Sequence, residues 1–448
     1  MKTRSRNLTE GNIVLQLLSV AFPIIMAQLL QNLYNSVDSL IVGNFIGTVA
    51  VAAITASSEI SNLIITFFVG LSTGSGVVFA SYFGAKDHEK LHKAIHTAIT
   101  LAVIMGMVMA FVGVVMAPVL LRMVKCPEDV FSSAVTYLRV YLIGVFFTSL
   151  YNVATGVLRA VGDTKTPLYY LVIACLANII LDLLFVVVIP MGIFGVALAT
   201  IMAQSLTVVL IYGKMMRSKD VYQLRISDLH VDPDIMLKVL KLGLPAAIQS
   251  CMVSFSNLFV QRYVNLFGSS AMAGAGVAGK INKYVSEVAK SLGTAATIFV
   301  SQNLGAGKTR RAYTGVLYAF LLSVAGITLM GIPVYYNAPA LIGLFLKETV
   351  AVQNGVLMVC TIVPWYCLQS AYQVLVNSIR GFGYSLTAMV TMMSGLIVCR
   401  QIFLAIAMPL TNSVHTVFIS YPVGWGSTAV VSFLVFWFFV QKKVPLER

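Results

Sequence analysis

Asp38 and Asp182 stand inside two long apolar runs, 14–43 and 167–189. An ionisable group at such a place costs about 2.5 to 3.5 kcal/mol on insertion scales, so each calls for a partner or a function. Asn178 precedes Asp182 by four residues, which puts both on one helical face. Thr200, in the run 193–213, can add a hydroxyl. Two carboxylates, an amide oxygen and a hydroxyl oxygen suit a hard monovalent cation or a proton shared between the acids. The plainer reading is that each acid only hydrogen-bonds a neighbouring helix.

A second set of charges has the opposite sign. Lys280, Lys283, Glu287 and Lys290 recur at steps of three, four and three, one polar stripe along a helix that cannot face lipid. Such a stripe lines a cavity, or forms an internal ion-pair set in which Glu287 neutralises Lys283. Three lysines exceed one glutamate, which favours the cavity. Arg262 and Arg400 lie in the same half of the chain, so this half is cationic while the first half carries the acids. Glu59, in the run 49–82, sits toward the outer end of its helix as a further cavity candidate.

The elements that must hold these residues are membrane helices. Of 448 residues, 58% are hydrophobic and 10% are charged, where a soluble protein has about 25% charged. Twelve apolar runs, from 14–43 to 416–440, are each long enough to span a bilayer. With the N-terminus placed inside, 21 lysines and arginines fall on cytoplasmic segments and only Arg122, Lys125 and Lys347 fall outside. The net charge of +14 is therefore orientation signal, with both termini cytoplasmic, and no sign of nucleic-acid binding.

Sliding the chain by 221 residues aligns Gly84-Ala85 with Gly305-Ala306, Tyr151 with Tyr372, Arg159 with Arg380 and Gly162 with Gly383. A shift one residue longer aligns Pro23 with Pro245 and Asn35 with Asn257. The expectation is an all-α integral membrane protein of twelve transmembrane helices, in two six-helix lobes related by a pseudo-twofold axis along the membrane normal. The lobes are expected at 1–215 and 236–448, joined by a cytoplasmic linker at 216–235 that suits a hinge.

Several features are decoys. Gly305-Ala306-Gly307-Lys308-Thr309 ends like a phosphate loop but has Gln302 at the first glycine position and follows a helix. His88, His92 and His96 have helical spacing that could bind metal, and read as solvated helix-start residues. Asn7-Leu8-Thr9 lies on the wrong side for glycosylation, and six unpaired-looking cysteines read as packing residues. No nucleophile and base arrangement is present, so no enzyme and no cofactor are expected.

Pro23 followed by Asn35-Ser-Val-Asp38 and Gly43, Gly84-Ala85, the Leu158-to-Pro167 loop and Asn178-x-x-x-Asp182 together resemble the multidrug and toxic compound extrusion (MATE) family, over essentially the whole chain. The resemblance implies a two-lobe transporter of the cell membrane, monomeric, that exports small organic compounds in exchange for Na⁺ or H⁺. In members coupled through the N-terminal lobe it implies a cation site at the positions of Asp38, Asn178, Asp182 and Thr200. Members that instead use acids of helices 7 and 10 fit less well, since 236–267 and 351–379 hold none. The basic stripe keeps a runner-up in view, a flippase of lipid-linked or anionic amphipathic substrates of the same wider superfamily. A membrane sensor or intramembrane enzyme fits poorly, because the longest hydrophilic connection is short and only Asp38 and Asp182 could do chemistry.

Overall fold

A chain this apolar must satisfy every backbone polar group within itself, and helices do so segment by segment. In the computed structural model, residues 5–444 are described apart from Lys125. The side chains of Ser39, Thr48, Val49 and Glu59 also lie outside the described residues, so the expectation for Glu59 falls outside them.

Helices α1 (Ile13–Phe45), α2 (Thr48–Gly84), α3 (His88–Met123), α4 (Glu128–Ala160), α5 (Lys165–Val188) and α6 (Gly192–Arg217) come first. They are followed by α7 (Pro233–Asn265), α8 (Gly268–Gly305), α9 (Thr309–Tyr336), α10 (Thr349–Gly381), α11 (Ser385–Thr411) and α12 (Val414–Lys443), with a short helix, Ala338–Gly343, before α10. Among the described residues, eleven are long and apolar enough to cross a membrane. The exception is α8, the helix with the charged stripe. Large apolar side chains such as Phe111, Leu329 and Leu410 remain exposed on helix surfaces, as lipid-facing residues do.

The chain divides into two compact units, and these do not follow its two halves. Unit 1 holds residues up to Asn7 and Met26–Ala247; unit 2 holds Leu8–Ile25 and Ile248–Arg448. Thus α1 gives its first half to unit 2, and α7 gives its first half to unit 1. Both changes come just after an internal proline, Pro23 in α1 and Pro245 in α7. Proline lacks the N–H for the i to i−4 bond and breaks the regular ladder, so each helix is weakest where it changes unit.

Within unit 1, α2, α3 and α6 pack along α4. The first half of α7 closes on α2, where Gly70 and Gly74 bring the backbones together: a Cβ on Gly70 would stand 2.5 Å from the Ala247 Cα, and one on Gly74 would meet the Leu242 carbonyl. Within unit 2, Leu17, Val20, Ala21 and Ile24 of α1 enter one core with Val260, Val285, Ala289 and Phe299. Ahead of them, Leu8 N–H donates to Gln302 Oε1 at 2.9 Å, and Lys308 Nζ donates to the Thr9 carbonyl at 3.0 Å.

The connection expected as a hinge is laid down on unit 1. Tyr222 and Leu224 are buried in its core with Leu91 and Ile95 of α3. His96 is buried too, which corrects its reading as a solvated helix-start residue. The spacing along α3 was correct, but the chain that covers this face lies 129 positions away and leaves no local signal.

Candidate functional site

All four expected site residues belong to unit 1, and the fold brings them together. Asp38 comes from the second half of α1, Asn178 and Asp182 from α5, and Thr200 from α6. The Asp38 and Asp182 carboxyls approach to hydrogen-bonding range of each other. Asn178 and Asp182 are both 1% exposed, and Thr200 is buried. Asp182 stands two residues before the π-helical stretch Leu184–Val188 that ends α5. Such insertions recur at functional positions because they turn side chains off the regular helical face.

The surroundings are apolar. Val37 and Ile41 flank Asp38, Ile179 adjoins Asn178, and Val196 and Ala197 precede Thr200, all in one cluster of unit 1. Among the described residues, no donor reaches Asp38 Oδ1, either Asp182 oxygen or Asn178 Oδ1. Buried carboxylate oxygens without donors are costly. A bare cation or a shared proton supplies what the protein does not, so the donor set fits the Na⁺ or H⁺ expected from the sequence.

Four residues around the acids carry no motif. Tyr34 lies one turn before Asp38, and its hydroxyl is in hydrogen-bonding range of Thr200. Tyr141 of α4 faces Asp38 and is in hydrogen-bonding range of Gln204 on α6. Tyr137, one turn earlier, stacks with Tyr141 at a ring separation of 5.8 Å. Gln204 Oε1 accepts from Thr148 Oγ1 at 3.1 Å, which fixes the amide. Thr200 itself donates to the Val196 carbonyl at 3.1 Å and keeps its lone pairs for an acceptor role.

The basic set is divided. Glu287 pairs with Lys290 at 2.9 Å, not with Lys283. Lys280, Lys283 and Arg262 are exposed, and among the described residues no carboxylate lies within salt-bridge range of them. Arg400 is a different case: it is 2% exposed and donates to Ser256 Oγ at 2.5 Å and Asn257 Oδ1 at 3.1 Å, with the guanidinium 5.7 Å above the Tyr421 ring. It is held inside unit 2 by neutral partners.

Comparison with known proteins places the family and the fold. The MatE family model matches residues 23–184 and 245–406, one copy in each half. The probable multidrug resistance protein YpnP of Bacillus subtilis is 28% identical over 404 residues, 90% of each chain. An outward-facing structure of a multidrug resistance MATE family transporter of the MOP superfamily superposes with a TM-score of 0.91 at 22% identity, over 99% of this chain and 98% of that one. A MOP superfamily transporter from Pyrococcus furiosus, described as having a binding pocket of reversed polarity that suggests a different function, superposes at 0.90 and 21% identity, over 99% and 98% of the two chains.

Proposed function

This chain belongs to the multidrug and toxic compound extrusion family, and from that premise we propose that it exports small organic compounds across the cell membrane in exchange for Na⁺ or H⁺. The observation that carries the coupling is the close pair of Asp38 and the buried Asp182, three of whose four carboxyl oxygens lack a donor among the described residues. Two carboxylates this close repel when both are charged, so a cation or proton between them is favoured strongly over none. Asn178 and Thr200 complete an oxygen shell for Na⁺, or accept hydrogen bonds from a protonated acid. Tyr34 and Tyr141 stand beside the acids.

Ion uptake changes the charge between α1, α5 and α6, and the helices rearrange to suit the new charge. One elementary charge moved through 100 mV is worth about 2.3 kcal/mol, enough to shift a two-state equilibrium roughly fiftyfold. The substrate class follows from relatives described as multidrug resistance proteins.

The test is transport in proteoliposomes with a panel of cationic, zwitterionic and anionic compounds, under Na⁺ and pH gradients separately. Asp38→Asn should leave the protein folded and abolish gradient-driven export; normal export by that variant refutes the coupling. The same panel decides the runner-up. The exposed Lys280 and Lys283 favour anionic or lipid-linked amphipathic substrates, and movement of anionic compounds alone would select that reading.

A further inference from the structure

Of the five histidines in the chain, His88, His92, His96 and His230 gather where the first turns of α3 meet the connection after α6. None of them belongs to the site proposed for ion coupling. His92 and His96 are one turn apart, with ring centroids 3.9 Å from each other. Asp228 comes from the connection and sets its Oδ2 3.4 Å from His92 Nε2. One ligand atom each from His92, His96 and Asp228 lies within 4.8 Å of the other two. Two ligands on a tetrahedral zinc, bound at about 2.0 to 2.2 Å, stand ~3.4 Å apart, so the His92–Asp228 pair already has the spacing of a ligand pair.

The supporting bonds have the pattern that metal ligands need. A ligating histidine usually donates its other ring N–H to a carbonyl, which orients the ring and leaves the lone pair on the ligating nitrogen. His96 Nδ1 faces the His92 carbonyl at 2.8 Å. Its Nε2 accepts the Arg225 N–H at 3.1 Å, which fixes the tautomer with the lone pair on Nε2. Ser227 Oγ donates to Asp228 Oδ1 at 2.8 Å, which leaves Oδ2 as the oxygen turned toward the histidines. His230 is held next to them, with Nδ1 2.7 Å from the Asp228 carbonyl oxygen.

We infer that His92 Nε2, His96 Nε2 and Asp228 Oδ2 form a binding site for a divalent transition metal of the zinc type. The metal takes the His96 lone pair from the Arg225 N–H, and His230 or water completes the shell. Two imidazoles and one carboxylate select Zn²⁺, Co²⁺ or Ni²⁺ over Mg²⁺ and Ca²⁺, which require oxygen shells. When bound, the metal fastens the 218–232 connection to α3. Without it, the attachment rests on the buried Tyr222 and Leu224 and on neutral bonds such as Asp232 N–H to Thr97 Oγ1 at 3.1 Å.

The probe is Co²⁺ added to the untagged full chain in detergent after chelator treatment. The expected result is visible d–d absorption that saturates at one Co²⁺ per chain and is displaced by Zn²⁺, together with slower tryptic cleavage at Arg225. His92→Ala and Asp228→Ala should each weaken Co²⁺ binding about tenfold or more, since loss of even an outer-shell partner costs 10- to 100-fold. His88→Ala, an exposed neighbour outside the triad, should bind as the parent does. Equal melting of His92→Ala and the parent in chelator, with stabilisation by Zn²⁺ only in the parent, separates a lost site from a damaged fold. Failure of stoichiometric Co²⁺ to give the absorption, or binding unchanged in both His92→Ala and Asp228→Ala, overturns the assignment.

Discussion

At the candidate site, four helices each supply two polar residues one turn apart: Tyr34 and Asp38 on α1, Tyr137 and Tyr141 on α4, Asn178 and Asp182 on α5, Thr200 and Gln204 on α6. Only the pairs that contain an acid stand out in the sequence, because a charge within an apolar run is rare while a tyrosine or glutamine is not. Unit 2 answers this site in a different chemistry. The two family-model matches, 23–184 and 245–406, begin and end 222 residues apart, a register that brings Asp38 onto Val260, Asn178 onto Arg400 and Asp182 onto Leu404. Val260 and Leu404 are core residues, and Arg400 is a buried cation tethered to Ser256 and Asn257 of α7. One copy holds two close acids; the other holds a permanent cation. The two should respond to mutation with opposite signs. Asp182→Asn removes the buried one of two close acidic charges and should raise the melting temperature in detergent. Arg400→Leu removes the donor to Asn257 Oδ1, leaves Ser256 Oγ only the longer bond from Gln401 Nε2 at 3.3 Å, and should lower stability by about 1–3 kcal/mol. Melting curves of the two variants check both signs, and a fall for Asp182→Asn would mean that the acid pair holds its helices together.

Helix extents are legible in the sequence to within a few residues for most spans, since apolar length is a local property. What the runs do not reveal is where a helix changes allegiance. Pro23 and Pro245 can be read as repeat-equivalent positions, yet a proline by itself marks a weak point and not the packing on either side of it. The partners of α7's first half are Gly70 and Gly74 of α2, far away in the chain. Gly74→Ala should put a methyl group against the Leu242 carbonyl and cost about 1–3 kcal/mol, as overpacking does. Gly76→Ala is the control, because a Cβ there would stand 3.9 Å from its nearest neighbour, the Gly156 carbonyl oxygen. Thermal melts of the two variants in detergent separate a specific helix contact from a general loss of glycine flexibility. The basic stripe of α8 is likewise legible as a pattern, but its internal pairing is not: Glu287 sits three residues from Lys290 and four from Lys283, and helical spacing allows either.

For the whole molecule, the halves of the sequence and the units of the structure are different partitions. A chain cut within 218–232 would yield an N-terminal fragment that carries Leu8–Ile25 without the core that buries it and lacks the 233–247 stretch that completes unit 1. Neither fragment alone should give a monodisperse folded species on size-exclusion chromatography, while co-expression of both should restore one. A well-behaved N-terminal fragment on its own would contradict the exchange of half-helices. The exchange also orders events during synthesis. Leu17, Val20 and Ala21 leave the ribosome well before the side chains that bury them, from Val260 to Phe299, which are made more than two hundred residues later. At about 5–20 residues per second, that interval is on the order of tens of seconds. Through it the Leu17–Ala21 segment must be sheltered by lipid or by the insertion machinery. A defect introduced in α8 should therefore first expose the Leu8–Ile25 segment to membrane proteases.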